Sequence, residues 1–398
     1  MNRKKMMLLK PDCKNKYLLI ILVFFIFGLF LKNSYADEIP PPPADSEHLI
    51  PNPPEKPAAP YVYKAPKKLA DGWKVGNLRK QKANLQQIAQ GIDKIQGGTI
   101  PDVHSVVVVR HGKIVLEEYF KGYGAKYPNP LFSCTKSVFS TVFGIAQDQG
   151  LINVDQKLYD LYPEWRAKPG WEKQKDDITV GMMLSMTSGL NCNDVGTPNC
   201  GVQMGETKDW LAFAFDIPMA HKPGTFWMYN GCCLSLISNL ITQKSGMSLV
   251  DYSKKYLFDP LGIENDGWVM GPNGVNRVDY GLAWKARDMA KLGQLYLNGG
   301  KWEGKQVLSE AWVKDATSLH APVRTSFGHS YGYLWHLKDM TWKGKTIQIF
   351  YANGYQGQAI FVSPDADTVC VMTASSNDDM IYGMEESFFE DNVLGSIN

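Results

Sequence analysis

The stretch from Pro130 to Gly150, Pro-Leu-Phe-Ser-Cys-Thr-Lys-Ser-Val-Phe-Ser-Thr-Val-Phe-Gly-Ile-Ala-Gln-Asp-Gln-Gly, constrains this chain more than any other. Apolar residues recur at Val138, Phe139, Val142, Phe143, Ile145 and Ala146, the spacing of a helix face. The turn formers Pro128 and Pro130 precede it and Gly150 stops it. A helix so apolar must be largely buried, yet its first turn carries Ser133-x-x-Lys136. Residues three apart share a helix face, so the Lys136 amine can reach the Ser133 hydroxyl. An amine whose pKa is lowered by burial can accept the serine proton and create a nucleophile. The helix N-terminus would also aim free N–H groups and a partial positive charge at an oxyanion formed there.

With 398 residues, 44% of them hydrophobic, the chain can fill one large domain or two interleaved ones. Its 42 basic and 40 acidic residues leave a net charge of +2, part of it in the first sixteen residues, which argues against a nucleic-acid surface. Those residues read as an export signal: Arg3, Lys4, Lys5, Lys10, Lys14 and Lys16, then the apolar run Tyr17 to Leu31, then Ser34-Tyr35-Ala36 before a cleavage point. Residues 1–36 would be removed, placing the mature chain in the periplasm or outside the cell. Membrane contact is expected only through the signal segment, if it stays uncleaved. An oxidising compartment permits disulfides, and Cys192 and Cys200, flanking a short polar loop, are the candidate pair. Cys134, Cys232, Cys233 and Cys370 read as buried thiols acting as small hydrophobes.

Residues 37–70 form a proline-rich spacer, and the folded domain is expected over 71–398. A helix is predicted over Leu85 to Ile95, followed by a hairpin of Ser105 to Arg110 and Lys113 to Phe120 turning at His111-Gly112. Short helices, including Ile178 to Leu184, fill an insertion over about 151–290, and Met289 to Leu297 reads as a further helix. Strands then return at Thr346 to Ala352, Gln358 to Val362 and Thr368 to Thr373, with a last helix over Asp378 to Val393. This order implies an α+β fold with one antiparallel sheet built from both chain ends, flanked by helices and interrupted by a helical insertion.

At Pro223-Gly-Thr-Phe-Trp-Met-Tyr-Asn-Gly-Cys-Cys the chain resembles the serine β-lactamase and penicillin-binding protein-like superfamily, on the class C branch that also holds esterases and 6-aminohexanoate-dimer hydrolase-like amidases. The resemblance runs from Asp71 to the end of the chain. It rests on the Ser105 hairpin, Ser133-x-x-Lys136, the segment Met183 to Leu190, Tyr229 in a Tyr-x-Asn-like position, and Ala352-Asn353-Gly354 opening a strand-edge glycine motif. It implies the transpeptidase-like fold, and Tyr229 sharing proton transfer with Lys136. A phenol serves as base only where a neighbouring cation stabilises the phenolate, so the two would act as one pair. By the same resemblance the N–H groups of Ser133 and Tyr355 would form the oxyanion hole, and Gly231, Asn353 and Gly354 would meet substrate. Two departures stand out. Gly231 replaces the third-position Asn of the Tyr motif, and Ala352 replaces the cation that reads a substrate carboxylate in relatives.

Other chemistries lack their motifs. The seven histidines show no zinc spacing, Gly299 to Lys305 trails a helix rather than opening one, and there is no Gly-x-Ser-x-Gly elbow. His329 and His336, near Tyr331, Tyr333 and Trp335, read first as packing and second as a pocket wall. The reading is an exported serine hydrolase acting on a small ester, amide or peptide-like substrate through an acyl-enzyme, with no metal or cofactor. Its competitors are a β-lactamase or D-alanyl carboxypeptidase and, in another class, a catalytically weak penicillin-fold binding or sensor protein.

Overall fold

The computed structural model describes residues 59–264, 268–321 and 329–397. The expected export signal and most of the proline-rich spacer lie outside them. Folded structure begins before the boundary expected at Asp71: the Tyr63 hydroxyl donates to the Val115 carbonyl at 2.8 Å, the Tyr61 N–H donates to Asp93 at 2.8 Å, and Tyr63 is buried. Prolines keep this segment extended, but its two tyrosines each offer a ring to bury and a polar tip to satisfy.

The hairpin strands β2 (Val103–Arg110) and β3 (Lys113–Tyr119) follow β1 (Lys74–Val75) and a helix, α1 (Leu85–Gln96). Asn84 caps α1 by accepting from the Gln87 N–H, and Ile88, Ile92 and Ile95 form its buried stripe. After β4 (Pro128–Pro130) comes the helix that Ser133 opens, α2 (Cys134–Asp148), then short helices and α3 (Leu234–Ser245). β5 (Ala283–Lys285) runs into α4 (Ala286–Leu297), the ribbon β6 (Lys301–Trp302) and β7 (Lys305–Gln306), and α5 (Glu310–Ala316). The chain closes with β8 (Ser330–Tyr331), β9 (His336–Trp342), β10 (Lys345–Gly354), β11 (Gln358–Ser363), β12 (Thr368–Ala374) and α6 (Ile381–Ser387), which continues as irregular helix through Ser396.

The main sheet has the order β1-β3-β2-β12-β11-β10-β9-β8. Both chain ends meet in it where β12 pairs with β2, Cys370 opposite Val108. The sheet is mixed rather than purely antiparallel, because β1 joins β3 in parallel with Lys74 opposite Lys113. Strand β9 was not expected: its polar stretch Lys338-Asp339 breaks the alternation, which an edge-side strand with one wet face tolerates. The insertion leaves and re-enters through a second small sheet, in which Asn129 on β4 opposes Trp284 on β5.

Because both faces of the sheet are covered, β2, β11 and β12 are buried along their whole length. Val107 and Val109 face the core shared with α2 and α4, while Val106 and Val108 face the core shared with α1 and the C-terminal helix. Buried α2 satisfies its polar side chains individually. The Ser137 hydroxyl donates to the Leu334 carbonyl and that of Ser140 to the Tyr333 carbonyl, both at 2.7 Å, which pins the helix along its axis.

Two helical glycines give opposite expectations. A Cβ on Gly144 in α2 would lie 2.2 Å from the Trp312 ring, whereas one on Gly383 in α6 meets nothing within 4 Å. Gly144→Ala should therefore lower stability by about 1–3 kcal/mol through overpacking. Gly383→Ala should raise it by about 0.5–1 kcal/mol through helix propensity. Urea midpoints of the two variants against wild type measure both effects.

Candidate active site

Strand β4 delivers the chain to Phe132, whose φ of 44° lies in the left-handed region. A large non-glycine residue held there costs of order 1–3 kcal/mol and requires support from its surroundings. The strain falls on the residue immediately before Ser133. Phe132 is anchored by the Tyr355 ring, edge-on at 5.5 Å, and the Leu131 N–H next to it donates to the Leu282 carbonyl at 2.8 Å. Ser133 stands at the N-cap position of α2 but has helical dihedrals and makes no capping bond with its side chain. The hydroxyl is instead an acceptor for Lys136 Nζ at 3.0 Å.

Lys136 is 3% exposed. Its ammonium also donates to the Asp279 carbonyl oxygen at 3.0 Å, hydrogen bonds to the Tyr229 side chain, and lies 4.6 Å from the centre of the Tyr229 ring. The sequence suggested that burial lowers the Lys136 pKa. Burial does act in that direction, but the electrostatic pull of Tyr229, Asp279 and Asp194 and the hydrogen bond to Tyr229 outweigh it, and the net shift is upward. Ser133, Lys136 and Tyr229 are thus brought together, with the amine held as an ammonium donor.

Gly231 has a reason that the sequence hid. A Cβ there would stand 2.5 Å from Asp279 Cβ, 2.8 Å from Asp194 Oδ2 and 2.8 Å from Lys136 Cε. The space beside Lys136 that a side chain at 231 would fill is taken by Asp194, whose Oδ2 accepts from the Gly231 N–H at 2.5 Å. The Asp194 pKa is raised overall: burial is the largest cause and Asp279 adds to it, outweighing Lys136 and the hydrogen bond from Gly231, which draw it down. Asp279 is itself paired with buried Arg277 at 2.8 Å. Neither aspartate belongs to a motif visible in the chain; Asp194 lies in the loop between Cys192 and Cys200, which are joined by a disulfide with Cα atoms 5.3 Å apart.

The glycine-motif strand meets the helix end-on. A Cβ on Gly354 would lie 2.3 Å from the Leu131 carbonyl oxygen and 3.2 Å from the Cys134 nitrogen. Gly354 therefore lets β10 touch the backbone around Ser133; the room next to its Cα is filled by protein rather than left for substrate. Ala352 is buried in the same core as α2. Asn353 pairs with Ala359 and alternates with its neighbours, so its side chain projects from the face shared with Tyr351 and Ala359, away from α2. Tyr355 follows in the turn to β11 beside Phe132.

Aromatic rings adjoin Lys136 through Tyr229 and Ser133 through Phe132. Trp227 lies 5.9 Å from Tyr229 and 5.7 Å from Tyr331. His336 on β9 is pushed well below the usual imidazole range by burial, with His329 and the Lys136 charge adding to it, so it brings no positive charge to this wall at neutral pH. His329 and His336 hydrogen bond to each other at 2.7 Å.

A profile of the family described as Beta-lactamase matches residues 86–385. The chain belongs to that family. It is a serine hydrolase by that membership. A 6-aminohexanoate-dimer hydrolase of Paenarthrobacter ureafaciens is 23% identical over 286 residues, covering 68% of this chain and 71% of that protein. A lovastatin esterase of Penicillium rubens is 29% identical over 150 residues, 33% of this chain and 37% of that enzyme. Among solved structures, a putative 6-aminohexanoate-dimer hydrolase from Bacillus anthracis superposes with a TM-score of 0.61 at 20% identity, covering 72% of this chain and 78% of the other. Among the described residues no helix is long and apolar enough to cross a membrane.

Behind the Tyr355 turn lies Glu385, fully buried, with both carboxylate oxygens lacking a hydrogen-bond partner among the described residues. Burial raises its pKa well above the ordinary value of 4.5, and Glu386 adds to the shift. The folded chain thus holds a proton that the unfolded chain releases above about pH 4.5, so this group's contribution to stability declines as pH rises past that value. Glu385→Gln should remove the decline: melting temperatures compared between pH 5 and pH 8 should fall more in wild type than in the variant.

Proposed function

We propose that this chain is an exported serine hydrolase that cleaves esters or amides of apolar acids through an acyl-enzyme on Ser133. The observation that carries the proposal is the Ser133 hydroxyl, not used as a helix cap, held 3.0 Å from a buried lysine that also bonds Tyr229. In the first step Ser133 Oγ adds to the substrate carbonyl carbon and its proton passes to the Tyr229 oxygen, acting as the phenolate that the Lys136 ammonium stabilises. The oxyanion is met by the N–H groups of Ser133 and Tyr355 at the positive end of α2. As the bond to the leaving alcohol or amine breaks, Tyr229 returns the proton to it. Water then adds to the acyl carbon, gives its proton to the same oxygen, and Ser133 departs with that proton restored.

Three things favour an apolar, uncharged substrate over a β-lactam or a D-alanyl peptide. The position that would carry a carboxylate-reading cation is buried Ala352, His336 is held neutral, and the surrounding rings of Phe132, Trp227, Tyr331 and Tyr355 are apolar. The names of the two curated relatives span an amide and an ester substrate, which supports the bond class. Export rests on the sequence of residues 1–36.

The purified chain should hydrolyse p-nitrophenyl butyrate with a higher kcat/KM than nitrocefin. The missing charge-assisted contact to the β-lactam carboxylate corresponds to about 1.5–3 kcal/mol, a preference of about tenfold or more. Ser133→Ala should abolish both activities and Lys136→Ala nearly so, since nucleophile and base act as a unit. Preference for nitrocefin would favour the β-lactamase reading. Ester turnover surviving in Ser133→Ala would sink the acyl-enzyme, and failure of wild type to react with a fluorophosphonate probe would point to a non-catalytic binding protein.

A further inference from the structure

Beside Gly231 lies a cluster whose three sulfurs the hydrolase chemistry does not use. The sulfurs of Cys192, Cys200 and Cys232 and a carboxylate oxygen of Asp194 all lie within 4.8 Å of one another. The three cysteines are buried, and the Cys232 thiol donates to Asp194 Oδ1 at 3.3 Å. A disulfide needs two sulfurs and gains nothing from a third thiol and a carboxylate turned toward it. Three sulfurs and one oxygen around a common point are the donor set of a tetrahedral zinc site. Thiolates at ~2.3 Å from such an ion stand about 3.8 Å apart, and the four donor atoms, none more than 4.8 Å from another, are already gathered near that spacing. The Cys192 and Cys200 sulfurs must only part from their bond.

We propose that, once the Cys192–Cys200 bridge is reduced, Cys192, Cys200, Cys232 and Asp194 bind a thiophilic divalent cation, with zinc as the fitting ion. Reduction takes two electrons and two protons from a dithiol, which itself becomes a disulfide, and leaves two thiols. Binding then releases the three thiol protons to solvent as three sulfur–metal bonds form. The supports around the ligands are in place. Asp194 is oriented by the Gly231 N–H, the Cys200 N–H donates to the Asn193 carbonyl at 3.1 Å, and Arg277 beside the cluster donates to the Gly201 carbonyl at 3.1 Å. Arg277 is 1% exposed, and its Nη1 has no acceptor among the described residues, which leaves a buried cationic donor next to a site that becomes anionic when its thiols ionise. Disulfide and metal are alternative occupants of one nest. The thiol ligands take no part in the hydrolase reading, whereas a metal on Asp194 would compete with Gly231 and Lys136 for that carboxylate.

The test uses the full chain, reduced under anaerobic conditions with a phosphine and titrated with Co2+ as a spectroscopic stand-in, followed by Zn2+. The reduced chain should bind one Co2+ with thiolate-to-cobalt absorption in the near ultraviolet and the intense visible bands of a tetrahedral site, both bleached by Zn2+. The oxidised chain should show neither. Cys232→Ser should weaken binding by about tenfold or more, since even outer residues of metal sites cost that much, and Cys233→Ser should leave it unchanged. If Cys232→Ser fails to fold by circular dichroism, Cys200→Ser carries the same expectation. A reduced, folded wild type without the thiolate band, or a folded Cys232→Ser or Cys200→Ser that keeps wild-type affinity, would overturn the proposal. Because the readout is absorbance rather than turnover, its outcome is separate from that of the ester assay.

Discussion

The buried ammonium of Lys136 sets the demands that the rest of the site meets. Moving an unpaired charge out of water costs several kcal/mol even after relaxation, so Lys136 at 3% exposure must be compensated on all sides. The Asp279 carbonyl, the Tyr229 side chain and the charges of Asp194 and Asp279 supply that compensation, and together they overcome burial and keep the proton on. The aspartates need support of their own. Arg277 holds Asp279, and the Gly231 N–H and Cys232 thiol hold Asp194. One buried lysine therefore organises a polar layer that ties α2 to the Cys192–Cys200 loop, the Tyr229 segment and the loop before β5.

Ser133 is positioned by a different means, the close meeting of backbones. β10 ends on Gly354 because the Leu131 carbonyl and the Cys134 nitrogen occupy the space a side chain would need. Phe132 accepts a left-handed conformation at the same junction, held by the Tyr355 ring. The result frees Ser133 from the capping duty that a serine at a helix start ordinarily performs. Pinning of α2 by the Ser137 and Ser140 hydroxyls then fixes its register against the sheet. Placement of the hydroxyl is thus a property of four elements at once.

Much of this was legible in the chain because it depends on local periodicity. The apolar spacing of α2, the stripe Ile88, Ile92 and Ile95, the hairpin turn at His111-Gly112 and the valine runs of β2 and β12 each announce an element whose burial follows from its own residues. The order of those elements was enough to expect one sheet built from both ends. Strand β9 escaped because a strand near the sheet edge with one wet face carries too little apolar alternation, and the parallel β1 because two residues form no pattern.

The sequence by itself determined the helix that carries Ser133 and Lys136 on one face, since three-residue spacing on an apolar helix leaves little freedom. Only the tertiary structure decided the charge state of that lysine, because it depends on Asp194 and Asp279, which lie 58 and 143 residues further along the chain. It likewise decided that Gly231 yields its space to Asp194, that Gly354 serves backbone contact, and that Asn353 faces the other side of the sheet. The physical reason is common to all of these. A periodic pattern is written in neighbours along the chain, whereas electrostatic compensation and steric exclusion are set by neighbours in space, and those are assembled only when the sheet brings the two chain ends and the insertion together.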